Sequence, residues 1–409
     1  MTLTERTDLE TNANVNVDVL LADRHALYEV RLAHTREGMR RSDIHAMAIV
    51  DPNQIFYSTG AMNMQLWSAR TPARYLLVLL DGPVILFDFK GSQHLAGGLP
   101  TISEIRAAEG LDYVSSGGDP TSAASRFAKD IAQAIRGFDK EIDRIAVDRF
   151  PFLAVDGLRR EGFVVTDACE LLALTRMIKL PIELPYIREA MRRVEIGVAR
   201  LENNAEPGKS ECETWAEFHY VLMAKHGQYT STRLFQSGPN TFPYFQEAGG
   251  RLLEKGDLLC LDTDALAFEN YAVDFSRTFL CGDQKATPDQ KLLYGRARDQ
   301  LEWNSSLLRP GVEYREIAEK AWKVPEEHQA SRYYCIGHGL GMAGEFPNIP
   351  HHDVRTKDYP LIGHIQPGMI ICIESYIGWE RSREGVKLED QFLVRSDGVE
   401  RMSTYHFDD

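Results

Sequence analysis

No apolar run in this chain approaches the roughly 18–20 residues that a spanning helix needs, so a membrane-embedded body is not expected. No C-x-x-C pair occurs either. The six cysteines (Cys169, Cys212, Cys260, Cys281, Cys335 and Cys372) are scattered, several inside apolar runs such as LLCLD and IICIE. A buried free thiol there behaves as a small hydrophobe, which points to a reducing compartment rather than a disulfide framework. Lys/Arg-rich runs are missing, and 46 basic against 60 acidic residues leave a net charge of −14. That balance disfavours a nucleic acid or an anionic membrane as partner. The N-terminus, MTLTERTDLETNANVNVDVL, lacks the basic-then-apolar order of a secretory signal, and a cytoplasmic location is expected.

What is present is a globular chain of 409 residues, long enough for two or three domains with a real core. Residues 1 to about 18 read as a polar arm, and a helical pattern runs from Leu21 to about Met39. AMAIVDP, QIFYSTG, YLLVLLDG and PVILFDF are short apolar runs broken by Pro, Gly and Asp, as strands and turns are. Helices are expected at Ser122–Ile135 and Phe152–Glu161, with a strand at Arg144–Val147 between them. The first 180 residues thus read as an α/β domain. KLPIELPYI is the linker candidate, giving domains 1–180 and 181–409. Beyond it Ile187, Met191, Val194, Val198 and Leu201 recur at steps of three and four, an amphipathic helix ending near Asn204. A second helix carries Trp215, Phe218 and Leu222, and two more are expected near 288–308 and 314–324. The C-terminal quarter holds GHGLGMAGEFPNIP and the strands MIICIESYIG and GVKLEDQFLV.

The stretch LLCLDTDALAFENYAVDFSRTF, Leu258 to Phe279, places Asp262 and Asp264 two apart, on one face of a strand, with Asp274 on the returning strand. His338 in IGHGLGM, Glu374 in ICIESY and Glu389 in KLEDQF add further ligand-type side chains. Each acid stands between apolar neighbours, where an unpaired charge is costly. Taken alone, His338 reads as a structural histidine, and Glu374 as a buried acid paired with Arg381 or Arg383. Taken together, five carboxylates and one imidazole suit two divalent cations such as Mn, Fe, Co or Zn. Two such ions can clamp a substrate carboxylate or polarise an attacking water.

The order D-x-D, D, H in GHG-x-G, E, then E in K-x-E-D resembles the pita-bread superfamily of methionine aminopeptidase, prolidase, aminopeptidase P and creatinase. That resemblance implies an α/β (α+β) fold: a creatinase-like N-terminal domain, then a pita-bread domain whose curved antiparallel sheet holds the metals. It makes Asp262, Asp274 and Glu389 ligands, the last two bridging. The peptidases carry a histidine in a segment like S-G-x-N-x-x-x-x-H, where SGPNTFPYF here ends in Phe245. They carry another in H-G-x-G-x-x-x-H-E-x-P, where Gly344 stands here. Without either, the chain is poorly equipped to cleave a peptide bond.

YSTGAMNMQLWSARTPARYLLV, TRLFQSGPNTFPYFQEAG, LDTDALAFENYAVDFSRT, HGLGMAGEFP and VKLEDQFLVRSDGVERMSTYHFD resemble the DddP-type dimethylsulfoniopropionate lyases, metal-dependent members of the same fold. This closer resemblance implies a D-x-D motif in which Asp264 is a ligand, iron or a similar divalent ion, a homodimer, and elimination of dimethyl sulfide to leave acrylate. A sulfonium favours aromatic faces. Trp67 and Tyr333 are the aromatics favoured for it, with Phe242, Tyr244 and Phe245 in the matching segments. The lyases' general base, an aspartate, aligns with Gly344, so either Glu345 takes the proton, or another group such as Tyr333 or His351 does, or this branch does different chemistry. The alternatives are a metal-dependent Xaa-Pro peptidase-like or small-molecule C–N hydrolase, and a metal-free binding module.

Overall fold

Apolar runs that are hydrophobic at every position form sheets covered on both faces, and the first half of the chain does this. The computed structural model describes residues 17–355 and 361–407; the arm expected at the N-terminus lies, up to residue 16, outside the described residues. Two compact units divide the chain, Asp18–Arg176 and the part from Met177 onward. In the first, strands β1 (Ala46–Ile49), β2 (Tyr75–Leu79), β3 (Val84–Asp88), β4 (Glu104–Ala107), β5 (Arg144–Val147) and β6 (Val164–Asp167) make one mixed sheet in the order β4-β3-β2-β1-β5-β6. Its helices are α1 (Val17–Arg41), α2 (Pro52–Thr59), α3 (Gln65–Ser68), α4 (Pro120–Phe138), α5 (Phe152–Arg160) and α6 (Cys169–Met177). Phe127, Ile131 and Ile135 of α4 pack with Tyr75, Leu77 and Phe87. Leu32, Met39, Leu171 and Leu172 cluster with Met47, Ile49, Leu76 and Leu86, the residues of alternate parity. QIFYSTG, expected among strands and turns, is instead most of α2. Asp51 caps that helix by accepting from the Asn53 and Gln54 amides, Pro52 opens it, and Gly60 at φ 77° closes it.

The second unit contains α7 (Leu184–Asn204), α8 (Glu211–Ala224), α9 (Pro288–Ser306), α10 (Tyr314–Lys320), α11 (Glu326–Gln329) and α12 (His352–Arg355). Its strands are β7 (Tyr229–Thr230), β8 (Phe235–Ser237), β9 (Leu258–Asp262), β10 (Ala265–Leu266), β11 (Ala272–Val273), β12 (Ser276–Leu280), β13 (Cys335–Leu340), β14 (Gly344–Pro350), β15 (Ile370–Trp379), β16 (Glu384–Val394) and β17 (Val399–Arg401). An antiparallel sheet of eight strands runs β14-β13-β15-β16-β12-β9-β8, with β17 on β16, and a small sheet runs β11-β10-β7. Side chains of period two sort the faces of the large sheet. Ile371, Ile373 and Ile377 of β15 and Val386 and Leu388 of β16 pack with Leu293, Ala297 and Leu301 of α9. The intervening residues, among them Glu374, Lys387 and Glu389, turn to the opposite face. Among the described residues no helix is long and apolar enough to cross a membrane.

Candidate metal centre

The register of the large sheet lays acids side by side. Glu374 of β15 is the direct partner of Glu389 on β16, Glu389 of Ser276 on β12, and Ser276 of Asp262 on β9. His338 on β13 is the partner of Cys372 on β15, and the β13–β14 register shifts on both sides of it. Like charges directly opposite are destabilising in a sheet, and Glu374 and Glu389 are both fully buried. His338 Nε2 lies 3.2 Å from Glu374 Oε1, 3.6 Å from Asp274 Oδ2 and 3.8 Å from Glu389 Oε1. The structure thus gathers Asp262, Asp274, His338, Glu374 and Glu389 into one buried cluster.

The expectation of two strands bearing three aspartates needs correction. β9 ends at Asp262, and Asp264 sits in left-handed backbone at φ 38°. The chain then leaves the large sheet for the small one and returns at β12, so neither Asp264 nor Asp274 lies within a strand. Asp264 still joins the cluster electrostatically: its carboxyl is pushed up to about 6 by burial and by the charge of Asp262. Thr232 Oγ1 donates to its Oδ2 at 2.6 Å.

Burial raises Asp274 and Glu389 well above the usual carboxylate range, Asp274 further through Glu389 and Glu389 further through Glu374. Burial also works to raise Asp262 and Glu374, but the Lys387 ammonium pulls both below it. Asp274 Oδ1 and Glu389 Oε1 are buried without a hydrogen-bond partner. Donor atoms of Asp274, His338, Glu389 and Cys372 all lie within 4.8 Å of one another. Orphaned carboxylate oxygens beside an imidazole are what a divalent cation would satisfy, and the residues fit one.

Around the cluster stands an aromatic wall. Tyr244 donates to Asp262 Oδ2 at 2.5 Å. Its ring lies 4.8 Å from Phe245 and 5.6 Å from Tyr333. Phe245, where the peptidases have a histidine, also lies 5.5 Å from Tyr333 and is more than half exposed. Trp67 belongs to the N-terminal unit, half exposed with its ring edge-on to Phe89 at 4.8 Å. Glu345 is committed elsewhere: Lys179 Nζ holds its Oε2 at 2.8 Å with both side chains buried, and the Met342 amide donates to Oε1 at 3.2 Å. His351 is buried, and Arg381 pairs with Asp289 rather than with Glu374.

Sequence reasoning passed over Lys387, Ser276 and Thr232. Lys387 Nζ reaches Glu374 at 2.5 Å, Glu389 at 2.7 Å and Asp262 at 3.2 Å, and is fully buried. Ser276 Oγ donates to Asp262 at 2.9 Å and lies 3.0 Å from Glu389. The signal was available: Lys387 and Cys372 each stand two residues before a ligand-type glutamate in a strand, hence on its face.

The sequence model described as "Metallopeptidase family M24" matches residues 185–396. The chain is 32% identical over 396 residues to "Dimethylsulfoniopropionate lyase DddP" of Roseovarius nubinhibens, covering 95% of this chain and 88% of that protein. It is likewise 32% identical over 370 residues to the protein of that name from Roseobacter denitrificans, covering 88% and 82%. Among solved structures, the prolidase of Pyrococcus horikoshii OT3 matches with a TM-score of 0.73 at 19% identity, over 92% of this chain and 99% of that one. Dipeptidase PepE of Mycobacterium ulcerans matches at 0.72 and 20%, over 94% and 97%. At such identities the structural likeness speaks for the fold, a pita-bread architecture with a creatinase-like N-terminal domain.

Proposed function

The chain belongs to metallopeptidase family M24, and within it we propose a metal-dependent enzyme of the lyase-like branch, acting on a small carboxylate that bears an onium group. What supports this reading above all is the aromatic wall of Tyr244, Phe245 and Tyr333 joined to the buried carboxylates through the Tyr244–Asp262 hydrogen bond. A cation rests on aromatic faces while a carboxylate needs a cationic partner, and here aromatic faces stand beside carboxylates that would hold such cations. Asp262, Asp264, Asp274, His338, Glu374 and Glu389 would hold two divalent ions, iron by the resemblance, with Zn, Mn and Co as competitors. When bound, such ions take a substrate carboxylate and make its α-hydrogens more acidic.

Phe245 and Tyr333 then line the onium end. In the elimination, loss of the α-proton forms the carbon–carbon double bond as the carbon–sulfur bond breaks. The bonding pair leaves with sulfur as neutral dimethyl sulfide, and acrylate remains. Of the proton-handling candidates, Tyr333 borders the cluster and Glu345 is engaged by Lys179, so we assign Glu345 to the fold and regard position 344 as the place of the missing base.

A Cβ on Gly344 would meet no atom within 4 Å, so position 344 has room for an aspartate side chain. Headspace detection of dimethyl sulfide from metal-loaded protein, run beside Xaa-Pro dipeptides and small cyclic amides, tests the reading. Slow sulfide release is expected, rising at least tenfold in Gly344→Asp. Turnover of the dipeptides or amides alone would transfer the protein to the hydrolase reading.

A further inference from the structure

We propose that Lys387 is the internal counter-ion of this centre: a positioning residue that holds the ligand carboxylates together in the metal-free protein and opposes the cations that displace its hold. The proposal rests on the metal-centre reading above. Its ammonium meets Glu374 Oε2, Glu389 Oε2 and Asp262 Oδ2, and donates to Ser276 Oγ at 2.8 Å. The oxygens of the two glutamates are divided between two sides. Lys387 takes both Oε2 atoms, whereas Glu374 Oε1 and Glu389 Oε1 turn toward His338 Nε2. One edge of the cluster is therefore closed by an ammonium and the other is offered to a ligand.

Burying five carboxylates without a cation is prohibitive, and a lysine is itself almost never fully buried unless paired. Here each relieves the other. Once all five carboxylates are ionised, as metal ligation requires, one ammonium against them leaves four negative charges, the complement of two divalent ions. A methionine at 387 would leave five in that ionised state and would take the partner from Asp262 and Glu374, so the metal-free site would strain the fold while the first cation entered unopposed. Lys387 thus trades metal affinity for a site that stays assembled without metal.

The test uses the full chain stripped with EDTA and titrated with Mn²⁺ by calorimetry, with thermal melting at zero and saturating Mn²⁺. Lys387→Met should bind the first Mn²⁺ at least tenfold more tightly than wild type. It should also melt well below wild type without metal and recover most of the gap when loaded. Lys387→Arg should follow wild type. If Lys387→Met does not fold, Lys387→Gln, uncharged but still a donor to the same oxygens, carries the same comparison. Equal lowering of melting with and without Mn²⁺, at unchanged affinity, would make Lys387 a merely structural residue and overturn the proposal. Wild type that binds no Mn²⁺ overturns the metal-centre reading and this proposal together; wild type that binds it, with an uncharged variant indistinguishable, overturns this proposal alone.

Discussion

At position 264 the backbone carries the cost of the side chain. A non-glycine residue in left-handed backbone costs about 1–3 kcal/mol, and Asp264 adds a fifth carboxylate to a buried cluster besides. Asp264→Gly relieves both burdens. The metal-free variant should be more stable to urea by about 1–3 kcal/mol, and its metal content after loading should fall. Unchanged stability would mean that neither burden exists. His351 makes a second prediction, about pH. Burial, and secondarily Arg332, push its imidazole down to about 4 from an ordinary 6.5. The folded protein thus prefers the neutral ring. Stability from this residue is complete above pH 6.5 and is lost as pH falls from 6.5 to 4, by up to about 3 kcal/mol. The wild-type advantage over His351→Gln, measured by denaturant titration, should shrink through that window. A constant difference would show that the ring titrates normally.

Elements are pinned by residues that look catalytic in sequence. Glu345 follows the turn joining β13 to β14, and its pairing with Lys179 ties that turn to the segment just before α7. Gly341 lies against the pair: a Cβ there would meet Glu345 Oε1 at 2.2 Å. Breaking one partner of a buried ion pair costs about 3–5 kcal/mol, while replacing both with apolar groups is often neutral. Glu345→Gln should therefore unfold at markedly lower denaturant, and Lys179→Met with Glu345→Leu should recover most of the loss. If Glu345→Gln keeps full stability but loses turnover, the residue is the base after all. The same scale accounts for α2 standing where strands and turns are expected. Ile55-Phe56-Tyr57 is an apolar run that periodicity alone cannot assign, although Asp51-Pro52 before it and Gly60 after it are helix-end signals.

For the molecule as a whole, legibility followed period. In ICIESY and VKLEDQ the alternation of apolar and charged residues by itself places Glu374 and Glu389 on the face opposite the apolar positions. Asp264 and Asp274 are legible as candidates, but their departure from the strand is not, because it depends on β10 pairing with β7, some 35 residues earlier in the chain. Lys387 escaped because lysine reads as surface unless its partners are known. All six ligand candidates belong to the second unit, which gives metal binding a regional signature. A ligand at 100 times its Kd adds about 2.7 kcal/mol to the state that binds it. Metal should therefore slow amide exchange in β9, β12, β15 and β16, whose register carries the cluster, and leave the β1–β3 amides of the N-terminal unit unchanged. Hydrogen exchange followed by mass spectrometry, with and without EDTA, reads both sets in one experiment. Equal protection of the two sheets would mean that the metal acts on the whole chain; protection in neither would remove the cluster as its site.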